Sequence, residues 1–579
     1  MNSSTAFALV GSGGAGVITA GEILLEAAGK AGWYGVMSRS VGPQIRGGEA
    51  AALLRLSPRP VECKAEQIDF LIAIDWRNAD RFADEIRLAD DGLIVCDPKS
   101  GDIPAVIADM TAAHAEVGLT DLAGGISHGR ENMIAVGLAA KLSGIPAATL
   151  MQVVETRLAD KGANAVAAGR ECIEIGMREA DPLGEKFRLD APPIGDNALW
   201  SITGNQAVGL GAVRGGVRFA AAYPITPATE VLEWLASALV KVGGTLLQAE
   251  DELASINMAI GASFGGRAAI TATSGPGLAL MSESLGLATA AEVPIVIVDV
   301  MRGGPSTGIP TKSEQSDLNI AVYGCHGDAP HVVVAPLSIA DCIFTTQWAV
   351  HLAEAMQVPA IVLSDQSLGQ TRAVIKRPAN VSFATQRNVL REVPQEAYCR
   401  YALTENGVSP MALPGVAGGQ YTADGLTHSV KGTPSANGAD HLQQLEKRRD
   451  KIETFDYGAH WAAIESTCSD SEPADFTIIT WGSLTGAVRE AMSSLADTGI
   501  TTKLVAMRLI SPFPEPQFLA AIEGARRTLV VEQTHSGQFY DYLRAKCDLP
   551  GEVRQLKRPG PHVIRPSEIC EHIRSWKTQ

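Results

Sequence analysis

Short, wholly apolar runs that end in glycine-rich turns recur along this chain, and that arrangement restricts it to α/β architectures. Ala6–Val10 runs into Gly11-Ser12-Gly13-Gly14-Ala15-Gly16 and a helical stretch from Val17 to Gly32. Ile295–Val300 runs into Met301-Arg302-Gly303-Gly304-Pro305-Ser306-Thr307-Gly308, and Ala268–Thr273 into Ser274-Gly275-Pro276-Gly277. A strand such as Ile295-Val296-Ile297-Val298 has no polar face, so both sides must be covered, as in a parallel strand between helices. Phe70–Ile74 and Leu93–Cys96, followed by Asp75 and Asp97, extend the pattern in the first segment, and Val332–Ala335 and Ile361–Leu363 in the second. Thr477–Trp481, Lys503–Ala506 and Thr528–Glu532 make a third set. Strands alternating with helices predict parallel sheets. The chain therefore divides into residues 1–192, 196–376 and 471–579, three α/β domains. Asp190-Ala191-Pro192-Pro193-Ile194-Gly195 is the first linker, and 377–470 is a Pro-, Gly- and Asn-containing irregular segment expected to be functional or interfacial.

Composition removes several functions. Lys and Arg total 48 against 64 Asp and Glu, a net charge of −16, which opposes sequence-independent nucleic-acid binding. The 9 cysteines are scattered, with no CxxC, so neither an iron–sulfur cluster nor a structural zinc is signalled, and a reducing cytosol is expected. The start lacks a basic leader and no long uncharged apolar stretch follows, so a cytoplasmic protein without a membrane span is expected.

Gly11-x-Gly13-x-x-Gly16 follows a strand and opens a helix, a backbone that lets phosphate approach N–H groups at a helix N-terminus. A dinucleotide site also needs an acid about 20 residues on, for the ribose. That region reads Gly35-Val36-Met37-Ser38-Arg39-Ser40, without one, and Gln44-Ile45-Arg46-Gly47-Gly48-Glu49 follows with a second glycine turn and an Arg. A phosphate-bearing ligand fits this better than NAD; a tight turn that only packs helix on sheet is the alternative.

In the middle domain, Tyr223-Pro224-Ile225-Thr226-Pro227 ends a small-residue strand, and Thr226 can either N-cap the next helix or present its hydroxyl to an anion. Glu250-Asp251-Glu252 opens a nearly uncharged helix; such acids favour the helix dipole, and one buried against a nitrogen heterocycle would hold a shared proton. Arg302, among glycines beyond a strand's carboxyl end, is placed to grip a carboxylate or is a solvated surface charge.

YPITP, EDELA, TSGPG and RGGPSTGIPT, with WGS, PFP and VEQTHSGQ in the third domain, resemble the α subunit of 2-oxoacid:ferredoxin oxidoreductases. GSGGAG with QIRGGEA resembles that family's γ domain, here fused ahead of α, an order similar to the 2-oxoglutarate and related archaeal-type enzymes. The resemblance implies a Rossmann-like γ domain, a pyrimidine-binding thiamine diphosphate domain and a transketolase C-terminal-like domain whose role is packing. It implies that Glu252 binds the aminopyrimidine nitrogen and is the catalytic acid, with Glu250 the alternative two residues earlier. Gly261 stands nine residues after Glu252, the family's spacing. Tyr223, Pro224, Ile225, Ser274 and Gly275 would line the cofactor, and Thr226, Arg302 and Thr311 would bind the 2-oxo acid. Gly11, Gly13, Gly14, Gly16, Ser38, Arg46 and Gly47 would hold coenzyme A.

No Gly-Asp-Gly occurs in the chain, so the diphosphate–Mg²⁺ grip and the [4Fe-4S] relay are expected on a separate β subunit, in an (αβ)₂ assembly that reduces ferredoxin. The expected reaction is coenzyme A-dependent oxidative decarboxylation of 2-oxoglutarate, reversible as a carboxylating synthase. Pyruvate or a branched-chain oxo acid is the alternative substrate. A non-catalytic coenzyme A- or nucleotide-sensing subunit is the rival from another class, and an NAD dehydrogenase is weakened by the missing acid.

Overall fold

The computed structural model describes residues 3–41, 48–192, 198–383, 386–393, 398–468 and 473–578. The chain forms two compact units, one of residues 1–203 with 370–379 and one of 204–369 with 380–579.

The first unit is built on an eight-stranded sheet. Its order is Ala113–Glu116, Leu88–Cys96, Ile68–Ala73, Thr5–Ser12, Glu49–Ser57, Tyr34–Val41, Arg372–Lys376 and Leu199–Thr203. The first four strands are parallel, as the alternation predicts. From Thr5–Ser12 outward every pairing is antiparallel, which the parallel expectation misses. For one of these pairings the reason is local: only seven residues separate Tyr34–Val41 from Glu49–Ser57, too few for the crossover a parallel pair needs. The strands at 199–203 and 372–376, which flank the middle of the chain in sequence, close this sheet. Helices Val17–Lys30 and Glu131–Ser143 cover one face, where Phe7, Leu9, Leu24, Ile134 and Leu138 are fully buried.

The second unit carries two sheets. The larger, seven-stranded, has the order Leu509–Ser511, Val332–Val334, Pro359–Asp365, Ile295–Met301, Ala269–Thr273, Phe219–Ala222 and Thr245–Gln248. All its pairings are parallel except that of Leu509–Ser511. Every residue of Ile295–Met301 is buried, as an apolar run covered on both faces requires. The five-stranded sheet has the order Ala462–Ser466, Thr502–Met507, Phe476–Trp481, Arg527–Glu532 and Glu552–Lys557, parallel but for the first strand.

The segment read as irregular contains a helix, Gly438–Glu453, and the charged cluster Lys447-Arg448-Arg449-Asp450-Lys451 lies on it. Lys447, Arg448 and Lys451 are buried there, so the cluster is an anchoring face, not a solvated run. Arg449 and Asp450 point outward and pair with each other. Part of the linker, Pro193 to Gly195, lies outside the described residues.

Candidate functional site

Four neighbouring parallel strands of the larger sheet end in the motifs singled out above. Phe219–Ala222 leads to Tyr223–Thr226, Thr245–Gln248 to Glu250–Glu252, Ala269–Thr273 to Ser274–Gly277, and Ile295–Met301 to Arg302. All four loops leave the carboxyl edge of one sheet, where open α/β sheets place their ligands.

Glu252 is the first residue of the helix Glu252–Phe264, which is capped by the Asp251 carboxylate accepting from the Ala254 amide at 2.7 Å. Glu252 is 8% exposed, while Glu250 and Asp251 are exposed. A Cβ at Gly277 would stand 2.8 Å from Glu252 Cγ, 3.0 Å from its Oε1 and 2.0 Å from Thr273 Oγ1. The glycine thus makes room for the carboxyl group at the start of the next helix, Gly275–Ala290. No hydrogen bond from the described residues reaches the Glu252 carboxyl group. A buried carboxyl group without a protein donor is suited to a ligand nitrogen that shares a proton with it. That is the condition an aminopyrimidine meets, so the residues present fit thiamine diphosphate.

Arg302 is half-buried, and its Nη1 donates to the Thr226 carbonyl at 2.7 Å. Its Nε is buried with no partner, and burial pulls its pKa below the ordinary arginine value, an effect Asp317 opposes. Thr226 is exposed, and the bond it precedes, Thr226–Pro227, is cis. It does not cap the next helix: Thr229–Lys241 begins after Ala228, with no side-chain cap. The hydroxyl therefore remains available at the surface of the crevice. Tyr223 is 41% exposed, and Pro224 and Ile225 are partly buried. Ser274 is buried with its Oγ unbonded.

Thr311 lies in the loop after Arg302 at φ 43°, partly buried. The Gly303 amide donates to the Lys312 carbonyl and Ile309 to Gly303, folding this loop on itself. No hydrogen bond joins Thr311 to Arg302 or Thr226 among the described residues. The loop is held from the smaller sheet: Gln315 Nε2 donates to the Trp481 carbonyl, and Gln315 and Gln533 exchange main-chain and side-chain bonds at 2.9 Å. Glu532 meanwhile accepts the amides of Phe539 and Tyr540, each at 2.9 Å, at the start of the helix Gln538–Lys546. These residues hold structure.

Three acids on either side of Arg302 in the sequence escape motif reading. Asp299 is fully buried, and Asp317 and Glu314 lie against Gly275 and Gly303, where a Cβ would come within 2.6 Å and 3.1 Å of their carboxyl oxygens. Asp299 faces inward from a strand whose apolar run hides it, so only its departure from that run could have drawn attention.

In the first unit, the glycine turn is shaped as much by packing as by openness. A Cβ at Gly11 would meet Val17 at 3.1 Å, and one at Gly16, φ 82°, would meet Asn132 Nδ2 at 2.2 Å. Gly13 and Gly14 are exposed. The Asp75 carboxylate accepts from the Ser12 amide at 2.9 Å and its hydroxyl at 2.7 Å, and the Gly13 amide donates to the Gly48 carbonyl. Ser38 is 6% exposed in the strand Tyr34–Val41, opposite Leu53, which is opposite Ala8. It thus stands three residues below Gly11 along the sheet, away from the turn. Arg46 and Gly47 lie outside the described residues.

Comparison with known proteins places these features in a family. Residues 210–448 match the thiamine diphosphate-binding model of pyruvate flavodoxin/ferredoxin oxidoreductases. Residues 6–179 match the pyruvate ferredoxin/flavodoxin oxidoreductase model, and 474–569 the core domain II of pyruvate:ferredoxin oxidoreductase. The chain is 37% identical over 374 residues to the 2-oxoglutarate synthase subunit KorA of Methanothermobacter thermautotrophicus, covering 64% of this chain and 97% of that one. It is 28% identical to the 2-oxoacid:ferredoxin oxidoreductase subunit alpha of Saccharolobus solfataricus, over 98% of this chain and 96% of that one. Among solved structures it is similar to the 2-oxoglutarate:ferredoxin oxidoreductase of Magnetococcus marinus with 2-oxoglutarate, coenzyme A and succinyl-CoA bound. That match has a TM-score of 0.91 at 35% identity and covers 99% of this chain and 100% of that one.

Proposed function

This chain belongs to the pyruvate ferredoxin/flavodoxin oxidoreductase family, and from that premise we propose that it is the α subunit, with a fused γ domain, of a 2-oxoglutarate:ferredoxin oxidoreductase. The observation that carries this reading is the end-to-end match, at a TM-score of 0.91 and 35% identity, to an enzyme holding 2-oxoglutarate and both coenzyme A species. The reaction joins 2-oxoglutarate and coenzyme A to give succinyl-CoA and carbon dioxide, and the released electron pair passes to ferredoxin. In reverse it fixes carbon dioxide.

Thiamine diphosphate, when bound, supplies a carbon nucleophile and an electron sink. This chain's residues do the rest of the positioning on their side of the crevice. Glu252, buried and without a protein donor, holds a proton at the aminopyrimidine ring nitrogen. Arg302 binds the oxo acid's carboxylate, and its bond to the Thr226 carbonyl fixes the guanidinium beside the Thr226 hydroxyl. Tyr223 to Ile225, Ser274 and Gly275 line the cofactor, and Thr311 joins Thr226 and Arg302 in binding the oxo acid. The turn at Gly11, Gly13, Gly14 and Gly16 binds coenzyme A together with Arg46 and Gly47, while Ser38, buried and away from that turn, is left out of the site.

The β subunit carries the Mg²⁺–diphosphate grip and the [4Fe-4S] cluster, in an (αβ)₂ assembly in the cytoplasm. The described residues contain no helix long and apolar enough to cross a membrane. The test is co-expression with a β subunit, followed by acyl-CoA formation assays over a panel of oxo acids with ferredoxin as acceptor. Succinyl-CoA from 2-oxoglutarate, and no turnover by the α chain alone, is the expected result. A preference for pyruvate or a branched-chain oxo acid would reassign the substrate.

A further inference from the structure

At the end of the larger sheet opposite the crevice, the second unit holds a cavity of about 880 Å³. Arg218 and Ala268, both in its lining, immediately precede the strands Phe219–Ala222 and Ala269–Thr273, and the Arg218 and Phe219 amides donate to the Ala268 carbonyl. The carboxyl ends of these same strands lead to Tyr223–Thr226 and Ser274–Gly277. At ~3.3 Å per residue, the length of the two strands sets the cavity roughly 15 Å from the crevice.

Part of the lining is one face of the helix Ile339–Met356, where Gln347, His351 and Glu354 follow at helical spacing. Those three side chains fix a second part, drawn from Val381 to Arg391. Gln347 Nε2 donates to the Val381 carbonyl at 2.7 Å. The His351 ring stacks on Phe383 with centroids 4.6 Å apart, and Glu354 accepts from Arg387 Nε and Nη2 at 2.8 and 2.7 Å. The cavity is therefore bounded by side chains already held in place.

Its charge runs against that of the molecule. Arg214, Arg218, Arg267, Arg387 and Arg391 line it, with Glu354 the one carboxylate among the lining residues, in a chain of net charge −16. Two of the arginines have structural work. Arg218 Nη1 donates to the Val213 and Val217 carbonyls at the end of the helix Gly204–Arg214. Arg387, besides engaging Glu354, donates to Ser263 Oγ at 3.0 Å. Arg267 and Arg391 have none: both are exposed, and no described residue bonds or pairs with either. Like charges gathered around a concave site focus a positive potential that a multiply charged anion relieves.

The remaining lining is largely apolar, from Val381, Phe383, Val389, Leu390, Leu413 and Val416. His351 Nδ1 is buried there without a partner, a polar atom left for a ligand group. A cavity of this volume is of small-molecule size, and its two characters match a ligand with several negative charges at one end and a flat, weakly polar ring at the other. We propose that the cavity is a second nucleotide site, for a nucleoside di- or triphosphate, with Arg267 and Arg391 taking the phosphates and His351 and the apolar lining taking the base.

The test is calorimetric titration of ATP into the complex of this chain with its β subunit, loaded with thiamine diphosphate and saturated with coenzyme A so that the glycine turn of the first unit is filled. Saturable binding with a Kd below ~1 mM is expected. Arg267→Gln combined with Arg391→Gln should weaken it at least ~10-fold, the loss of charge-assisted contacts, and leave acyl-CoA formation as in the wild type. Both side chains are exposed and unbonded, so an unchanged melting temperature should accompany the variant. Inorganic tripolyphosphate should bind at least ~10-fold more weakly than ATP, since it leaves the apolar lining unused. No saturable ATP binding, binding unchanged in the double variant, or tripolyphosphate as tight as ATP each overturns the proposal. Because the cavity lies within one unit of this chain, the titration reads out whether or not succinyl-CoA forms from 2-oxoglutarate.

Discussion

At the residue scale, Glu252 and Glu250 differ in burial more than in chemistry. Glu252→Gln removes the one carboxyl group of the acidic triplet that is sequestered in the crevice, and turnover in the αβ complex should fall ~10²–10⁴-fold, the range for a lost general acid. Glu250→Gln changes an exposed group and should leave turnover within ~2-fold. Equal effects from both, measured under saturating cofactor, would remove Glu252 from its assigned place. Arg302→Ala deletes a half-buried guanidinium and should raise KM for the oxo acid by an amount worth ~2–4 kcal/mol, a charge-assisted contact. An unchanged KM would place the anchor elsewhere.

At the element scale, the helix Gly438–Glu453 is tied to the second unit by charges. Lys447 and Lys451 donate to the two oxygens of Glu292 at 2.7 and 2.9 Å, and all three side chains are buried. Arg400 adds a bond from Nη2 to the Glu292 carbonyl at 2.8 Å. Burial alone would raise the Glu292 pKa, yet Lys451, Lys447 and Arg400 together hold it far below the usual carboxylate range. A carboxyl group depressed on folding contributes stability above its unfolded pKa and loses it as pH falls, so this anchor is at full strength at neutral pH and weakens in acid. Glu292→Gln leaves two buried ammonium groups without their counter-charge and should cost ~3–5 kcal/mol in urea unfolding at neutral pH. A cost below ~1 kcal/mol would show that the network is solvated or redundant. The segment that looked irregular is thus an element whose helix is legible only once its lysines have a buried partner. Their spacing, four residues apart at 447 and 451, is a helical repeat.

At the scale of the whole molecule, one helix is better suited to an assembly than to the lone chain. Gly261 sits inside Glu252–Phe264, where glycine costs helix stability, and a Cβ there would meet nothing within 4 Å. Leu253 and Met258 on the same helix, and Leu280 on its neighbour, are 46%, 42% and 52% exposed. Among the described residues nothing crowds that glycine or covers those side chains, as a close-packed β subunit would. Gly261→Ala should therefore stabilise the isolated α chain by ~0.5–1 kcal/mol and weaken its association with β. Calorimetric unfolding of α and titration of the complex check the two halves. Association as tight as in the wild type would move the interface off this face.

The amino-acid sequence by itself determined the α/β class, the strands whose apolar runs need cover on both faces, and the motifs that follow them. Each is a local property, set by hydrophobic period and by where glycine must relieve a turn. The tertiary structure alone decided the rest. It turned half of the first sheet antiparallel, separated Glu252 from Glu250 by burial, and denied Thr226 its cap. It also brought Glu292 to Lys447 and Lys451 across 155 and 159 positions of sequence. Those decisions depend on which charges lose their water together, and desolvation is a property of the packed molecule, which no window of sequence contains.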